Sequence, residues 1–129
     1  MKCLSVRQPY AALLVVGLKR IEVRSWRTLY RGPLLIHASL RPTSLPAEFA
    51  AIMANVPSYC IEARGLIIGG VVLVDCRPLK QDDWKEALCE VSPTRFAWVL
   101  ENPHIFETFT PAKGRLGLYE VEEAIFNFL

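Results

Sequence analysis

Histidine is scarce in this sequence. His37 and His104 are the only two, and neither has a neighbour at metal-ligand spacing, so the usual zinc and iron sets are excluded. A lone strand histidine such as His37 reads as a hydrogen-bonded, half-buried residue. Cys3, Cys60, Cys76 and Cys89 form no CxxC pair, which argues against a zinc knuckle or a redox motif. Four reduced thiols, mostly packed as small apolar side chains, are expected. A glycine-rich phosphate loop is missing, because GLIIGG (Gly65–Gly70) lacks the strand–turn–helix setting, and there is no GxSxG elbow. Long apolar runs are also absent. The longest, Tyr10–Leu18, falls well short of the about 20 residues that span a bilayer. No small-residue cleavage site follows it, and Lys19-Arg20 come directly after, so it reads as a buried helix ending at Gly17. No repeat, low-complexity tract or dividing linker interrupts the chain. These absences lead to the expectation of a single soluble, cytoplasmic domain over residues 1–129, with no cofactor, no metal and no membrane span.

What is present is a lopsided charge distribution. Residues 1–41 carry eight basic residues and one acid, Glu22, a net +7, whereas residues 42–129 carry seven basic and twelve acidic residues, a net −5. Tyr10, Trp26 and Tyr30 are interspersed in the basic third. Arginine and lysine clustered with aromatics suit phosphates and unstacked bases, which makes RNA a candidate partner and includes Arg27 and Arg31 among the candidate contacts. The alternative is a polar surface that happens to be basic at one end.

The coarse element pattern is strand Lys2–Val6, helix Pro9–Val16, strand Arg20–Trp26 and strand Leu34–Ala38. Helix Leu45–Asn55 follows, with Phe49, Ile52 and Met53 on one face. The long strand Gly65–Asp75 is predicted to bend at Gly69-Gly70. A short amphipathic helix Lys80–Cys89, strand Arg95–Leu100 stopped by Asn102-Pro103, strand Leu116–Val121 and a closing helical turn over 122–129 complete the reading. Six or so short strands with two or three helices form no βαβ series. They predict a mixed α/β (α+β) fold, a small curved or closed β-sheet with flanking helices.

Within GLKRIEVRSW, Lys19 to Arg24 hold four charges in six residues, while Ile21 and Val23 alternate as a buried face. Strand alternation sets Glu22 and Arg24 on one face with Arg20 and Trp26. Lys19 has the other parity, but at a helix–strand junction it can swing to the same side. A glutamate between two cations holds both by charge-assisted hydrogen bonds. In a dry cleft the lysine would lose proton affinity and serve as a general base, with Glu22 a possible base for water. The alternative is a surface ion-pair trio worth less than about 1 kcal/mol. Gln8 is able to read a base edge, and Tyr10 and Trp26 to stack on a base. A capping amide and two core aromatics are their alternatives.

These segments resemble the ASCH domain family, of the PUA-like superfamily. Its GxKxxExR hallmark is matched by Gly17, Lys19, Glu22 and Arg24. Flanking blocks agree: Ser5, Gln8, Pro9 and Tyr10 upstream, Trp26, and Arg31, Gly32, Leu34, Ile36 and Ala38 downstream, with GLIIGGVVLVDC, FAWVLENP and KG further on. The resemblance implies a PUA-like small β-barrel with a cleft beside the first helix and second strand, and a role close to RNA. RNA or a modified nucleoside is the implied ligand. It also implies an enzyme alternative, an N4-acylcytidine-type amidohydrolase or a ribonuclease using Lys19 and Glu22. The amidohydrolase-like members carry threonine where this chain has Glu22, so their nucleophile mechanism does not carry over. Glu86 or Glu90 is the nearest equivalent of their later acid, without a definite alignment. A protein-interaction module whose basic face meets an acidic partner is the remaining reading.

Overall fold

The structure, a computed structural model, describes residues 1–122. Along β1 (Lys2–Val6), Leu4 and Val6 face one way and Cys3 and Ser5 the other. Pro9 then opens α1 (Tyr10–Val16), whose Ala11, Leu14 and Val15 enter the largest core cluster with Leu34, Ile36, Ile68 and Trp98. The helix ends at Gly17, in the left-handed conformation at φ 85°, and its N–H returns to Leu14 O. A side chain there would also begin 2.9 Å from Pro103 Cγ, so glycine answers two demands at once.

β2 (Ile21–Arg24), β3 (Gly32–Ala38), β4 (Leu66–Pro78), β5 (Phe96–Pro111) and β6 (Leu118–Glu120) join β1 in one sheet of order β2-β5-β4-β3-β1-β6. Among the described residues only the β1–β3 pair is parallel. The long strands β4 and β5 shift register repeatedly along their shared ladder, and the sheet curls into a half-barrel. Arg24, on the edge strand β2, donates Nη2 to Ser5 O on β1 at 2.9 Å. Side chains thus reach between strands that share no ladder. The mixed α/β class, the curled sheet and the bend at Gly69-Gly70 follow the sequence-based expectation.

Four segments differ from it. Residues Ala47–Asn55 form a 3₁₀ helix with no buried residue, because prolines at 46 and 57 bracket a stretch whose apolar residues only skim a secondary cluster. A short helix α2 (Ser58–Glu62), unforeseen, follows and buries Cys60. Strand β5 does not stop at Asn102-Pro103. Both residues stand opposite Val71 in a bulge, with Asn102 at φ 52°, and the strand resumes beyond it. The turn expected over 122–129 lies, except for Glu122, outside the described residues. Among the described residues all four cysteines are free. No helix there is long and apolar enough to cross a membrane.

The segment expected as one helix over Lys80–Cys89 is a 3₁₀ turn (Gln81–Asp83) leading into α3 (Trp84–Ala87). Asp83 anchors it. Its carboxylate takes both Arg77 Nη1 at 2.8 Å and Nη2 at 2.9 Å, and the Lys80 N–H at 2.7 Å. Arg77 holds the Asp83 carboxyl below its usual range, helped by the Lys80 N–H. That stabilisation is present above the ordinary value of about 4 and is lost as pH falls through the lower folded-state value. Asp83→Asn should therefore reduce stability by about 2 kcal/mol at neutral pH. In urea titrations the gap between parent and variant should close in acid; a gap independent of pH would contradict the assignment.

Candidate functional site

A half-open cleft of about 820 Å³ lies where α1, β2, the end of β1 and the loop before β6 meet. Its floor is built by the turn after α1. Leu18 and Lys19 both return their N–H groups to Leu13 O, which winds the chain tightly past Gly17 and swings Lys19 inward. Lys19 is 3% exposed, and its ammonium donates to Ala87 O, sits 3.7 Å from Glu22 Oε1 and lies 4.6 Å from the centre of the Tyr10 ring. Glu22, 7% exposed, takes Arg24 Nε at 2.9 Å and Nη2 at 2.8 Å through its other oxygen. Tyr10 donates its hydroxyl to Leu88 O at 3.0 Å.

Burial dominates the electrostatics of this floor. It pulls the Lys19 ammonium below its ordinary value, with the Glu22 charge opposing. It pushes the Tyr10 phenol up to about 12, with Cys89 and Glu22 adding to the shift. Cys89, half-buried on the same wall, also has its thiol pushed up by burial, while Lys19 pulls it back. Arg7, Arg41 and Arg115 stand exposed around the mouth. Among the described residues the lining therefore carries five cations (Arg7, Lys19, Arg24, Arg41, Arg115) against one acid, Glu22.

Of the residues singled out in the sequence, Ser5, Tyr10, Lys19, Glu22 and Arg24 are brought together here. The others are placed elsewhere. Gln8 is 1% exposed, and its amide is fully engaged: Nε2 donates to Cys60 O at 2.6 Å and Ala63 O at 3.2 Å, and Oε1 accepts Ala12 N–H at 3.0 Å. Trp26 packs edge-on against buried Trp98, ring centres 4.8 Å apart. Arg27 lies over Phe96, and Arg31 donates to Thr28 O and Tyr30 O and faces Asp75 at 3.7 Å; neither lines the cleft. Glu86 and Glu90 are exposed and also lie off its wall. Among the described residues no cluster of three His, Cys, Asp or Glu could hold a metal.

Sequence reasoning passed over Cys89 and Arg115. They enter from distant segments, and only the KG before the last strand marked that loop. Arg7 and Arg41 were visible as members of the basic third, though not as neighbours of Lys19.

The curled six-stranded sheet, with α1 against it and a cleft at the helix–strand junction, defines a mixed α/β half-barrel domain. The chain belongs to the ASCH domain family, whose profile matches residues 4–124. It is 34% identical over 134 residues to activating signal cointegrator 1 of Homo sapiens and 33% identical to that of Mus musculus. Each match covers 95% of this chain and 22% of the relative, so the chain spans about a fifth of the length of these curated relatives. Among solved structures, ASCH from Zymomonas mobilis superposes with a TM-score of 0.64 at 13% identity, covering 95% of this chain and 88% of that one. A mutant of the same protein gives 0.58, also at 13%, covering 95% and 90%. These last two likenesses concern the fold alone.

Proposed function

We propose that this ASCH domain binds single-stranded RNA or a nucleotide in the Lys19–Glu22–Arg24 cleft and serves RNA metabolism. The observation that carries the reading is the lining, five cations to one acid around a half-buried tyrosine. Such a lining attracts phosphate and offers a ring face to a base. Arg7, Arg41 and Arg115 would meet phosphates at the mouth. Tyr10 would stack, and the Glu22 carboxylate, held by two cations, would accept from a base edge. Arg27 and Arg31 lie outside the cleft and are left for contacts with flanking phosphates.

A second reading uses the same floor for chemistry. Lys19, desolvated beside Glu22, has the lowered proton affinity that suits a general base. That pair would serve an N-acylnucleoside hydrolase or a ribonuclease. Screening the protein against short RNAs and modified nucleosides for both binding and turnover separates the two readings.

The binding reading is tested by fluorescence anisotropy with short single-stranded RNA across a salt series. Affinity should fall steeply with salt. Arg7→Glu and Arg41→Glu should each weaken it about tenfold and reduce the salt slope by about one, whereas Arg27→Glu should do much less. Equal losses at all three positions would point to a diffuse basic surface, and no loss at any would remove RNA from the account.

A further inference from the structure

Beside Arg24, at the β1 wall of the cleft, stands a second constellation. Ser5 lines the cleft, and its Oγ is 3.0 Å from His37 Nδ1 and 2.9 Å from the Tyr119 hydroxyl. His37 Nε2 is 2.7 Å from Ala112 O. A carbonyl can only accept, so Nε2 carries a hydrogen, and in the tautomer with that hydrogen alone Nδ1 presents a lone pair. In that tautomer Ser5 donates its O–H to Nδ1 and Tyr119 donates to Ser5. The Cys3 thiol lies against the Tyr119 hydroxyl on the far side of this hydrogen-bonded chain.

The geometry is fixed by the sheet. Ser5 and His37 are register partners on β1 and β3, and Tyr119 pairs with Cys3 across β6. His37 is 1% exposed and cannot swing away. Gly114 keeps the approach open: a side chain there would start 3.2 Å from Ser5 Oγ and 3.1 Å from His37 Cε1, roofing the pair.

We propose that Ser5 and His37 are a nucleophile and general base that hydrolyse activated acyl esters through an acyl-serine. A nucleophile within hydrogen-bond reach of a base, the base oriented by a third group, is the arrangement this chemistry requires. Ser5 Oγ adds to the ester carbonyl and passes its proton to His37 Nδ1, while the carbonyl electron pair moves onto oxygen. Arg24, fastened to the Ser5 carbonyl, has Nη1 hydrogens without a protein partner among the described residues and is the nearby cation for that oxyanion. The ester C–O bond breaks and the leaving alkoxide takes the proton from His37. Water then adds to the acyl carbon, giving His37 a proton. The C–Oγ bond breaks, Ser5 regains that proton, and the net reaction is ester plus water to acid plus alcohol. This proposal stands independently of RNA binding.

The test is covalent labelling with a small fluorophosphonate, mapped by peptide mass spectrometry, together with p-nitrophenyl acetate hydrolysis. The parent should carry one adduct, on Ser5, and its esterase activity should vanish in Ser5→Ala. His37→Gln should slow labelling about a hundredfold with the thermal midpoint recorded alongside. No adduct on Ser5 in the parent overturns the proposal without any variant. A folded His37→Gln that labels at the parental rate overturns the role of the histidine.

Discussion

Glu22→Gln should reduce folding stability by about 3 kcal/mol, near 10 °C in thermal midpoint, and eliminate specific ligand binding. Glutamine keeps the shape of the side chain and removes its charge. Two cations then face each other with no counterion in a largely buried floor: Lys19, 3% exposed, and Arg24, which gives Glu22 two hydrogen bonds. Arginine cannot shed its proton, so Arg24 turns toward water and releases the Ser5 carbonyl. Lysine can. Burial already lowers the proton affinity of Lys19, so between its depressed folded value and the ordinary value of about 10.4 the unfolded chain binds more protons. The stability of the variant must therefore rise with pH across that window, more steeply than in the parent. Denaturation midpoints from neutral to alkaline pH would reveal it. A variant with parental stability, parental pH profile and parental ligand affinity would reduce the trio to a surface ion pair.

Gly69→Ala should do still more damage to folding, well above about 3 kcal/mol, since ordinary overpacking costs about 1–3 kcal/mol where side chains can move aside. The added Cβ would sit 2.1 Å from His104 O and 2.8 Å from Val15 Cγ1. The first obstacle is backbone, on the neighbouring strand of a long ladder, and the second belongs to α1. Relieving the clash requires separating β4 from β5 or lifting α1 from the sheet, and α1 supplies Tyr10 to the cleft. Insoluble or molten protein is the expected outcome of expression, judged by near-ultraviolet circular dichroism. Gly117→Ala is the control, with nothing within 4 Å of the added carbon but a φ of 67°, and should remain folded with a small loss.

The parts of this molecule that were legible in its sequence are those decided by neighbours along the chain. Gly17 announced the end of α1 because only a residue without a side chain turns there freely. The Gly69-Gly70 bend was readable for the same reason. Lys19, Glu22 and Arg24 lie within six residues, so their convergence followed from one turn and one strand period. Gln8 and Trp26 had no such local determinant. A polar amide before a helix looks the same whether it faces a ligand or Cys60 O and Ala63 O, and the difference is made by a segment far along the chain. β5 was cut short in the reading because a proline ordinarily ends a ladder; the bulge opposite Val71 absorbs it instead. Ser5 stood out only as part of the upstream block, and His37 only as a hydrogen-bonded strand residue. The parallel register of β1 and β3 makes them a pair, and register across a sheet is not written in either strand alone.

Arg24 is at once a wall of the cleft and a clasp between the edge strand and β1. The other members of the hallmark lead similar double lives: Gly17 caps a helix against Pro103, Lys19 holds the Ala87 carbonyl, and Glu22 neutralises both cations. Selection for a folded domain alone would preserve all four. A lineage can therefore abandon its ligand and still display the intact signature for as long as the half-barrel is needed. In comparing descendants of this fold, the hallmark is a record of architecture, and traces of lost or altered activity are to be sought at the mouth, where Arg7, Arg41 and Arg115 stand exposed.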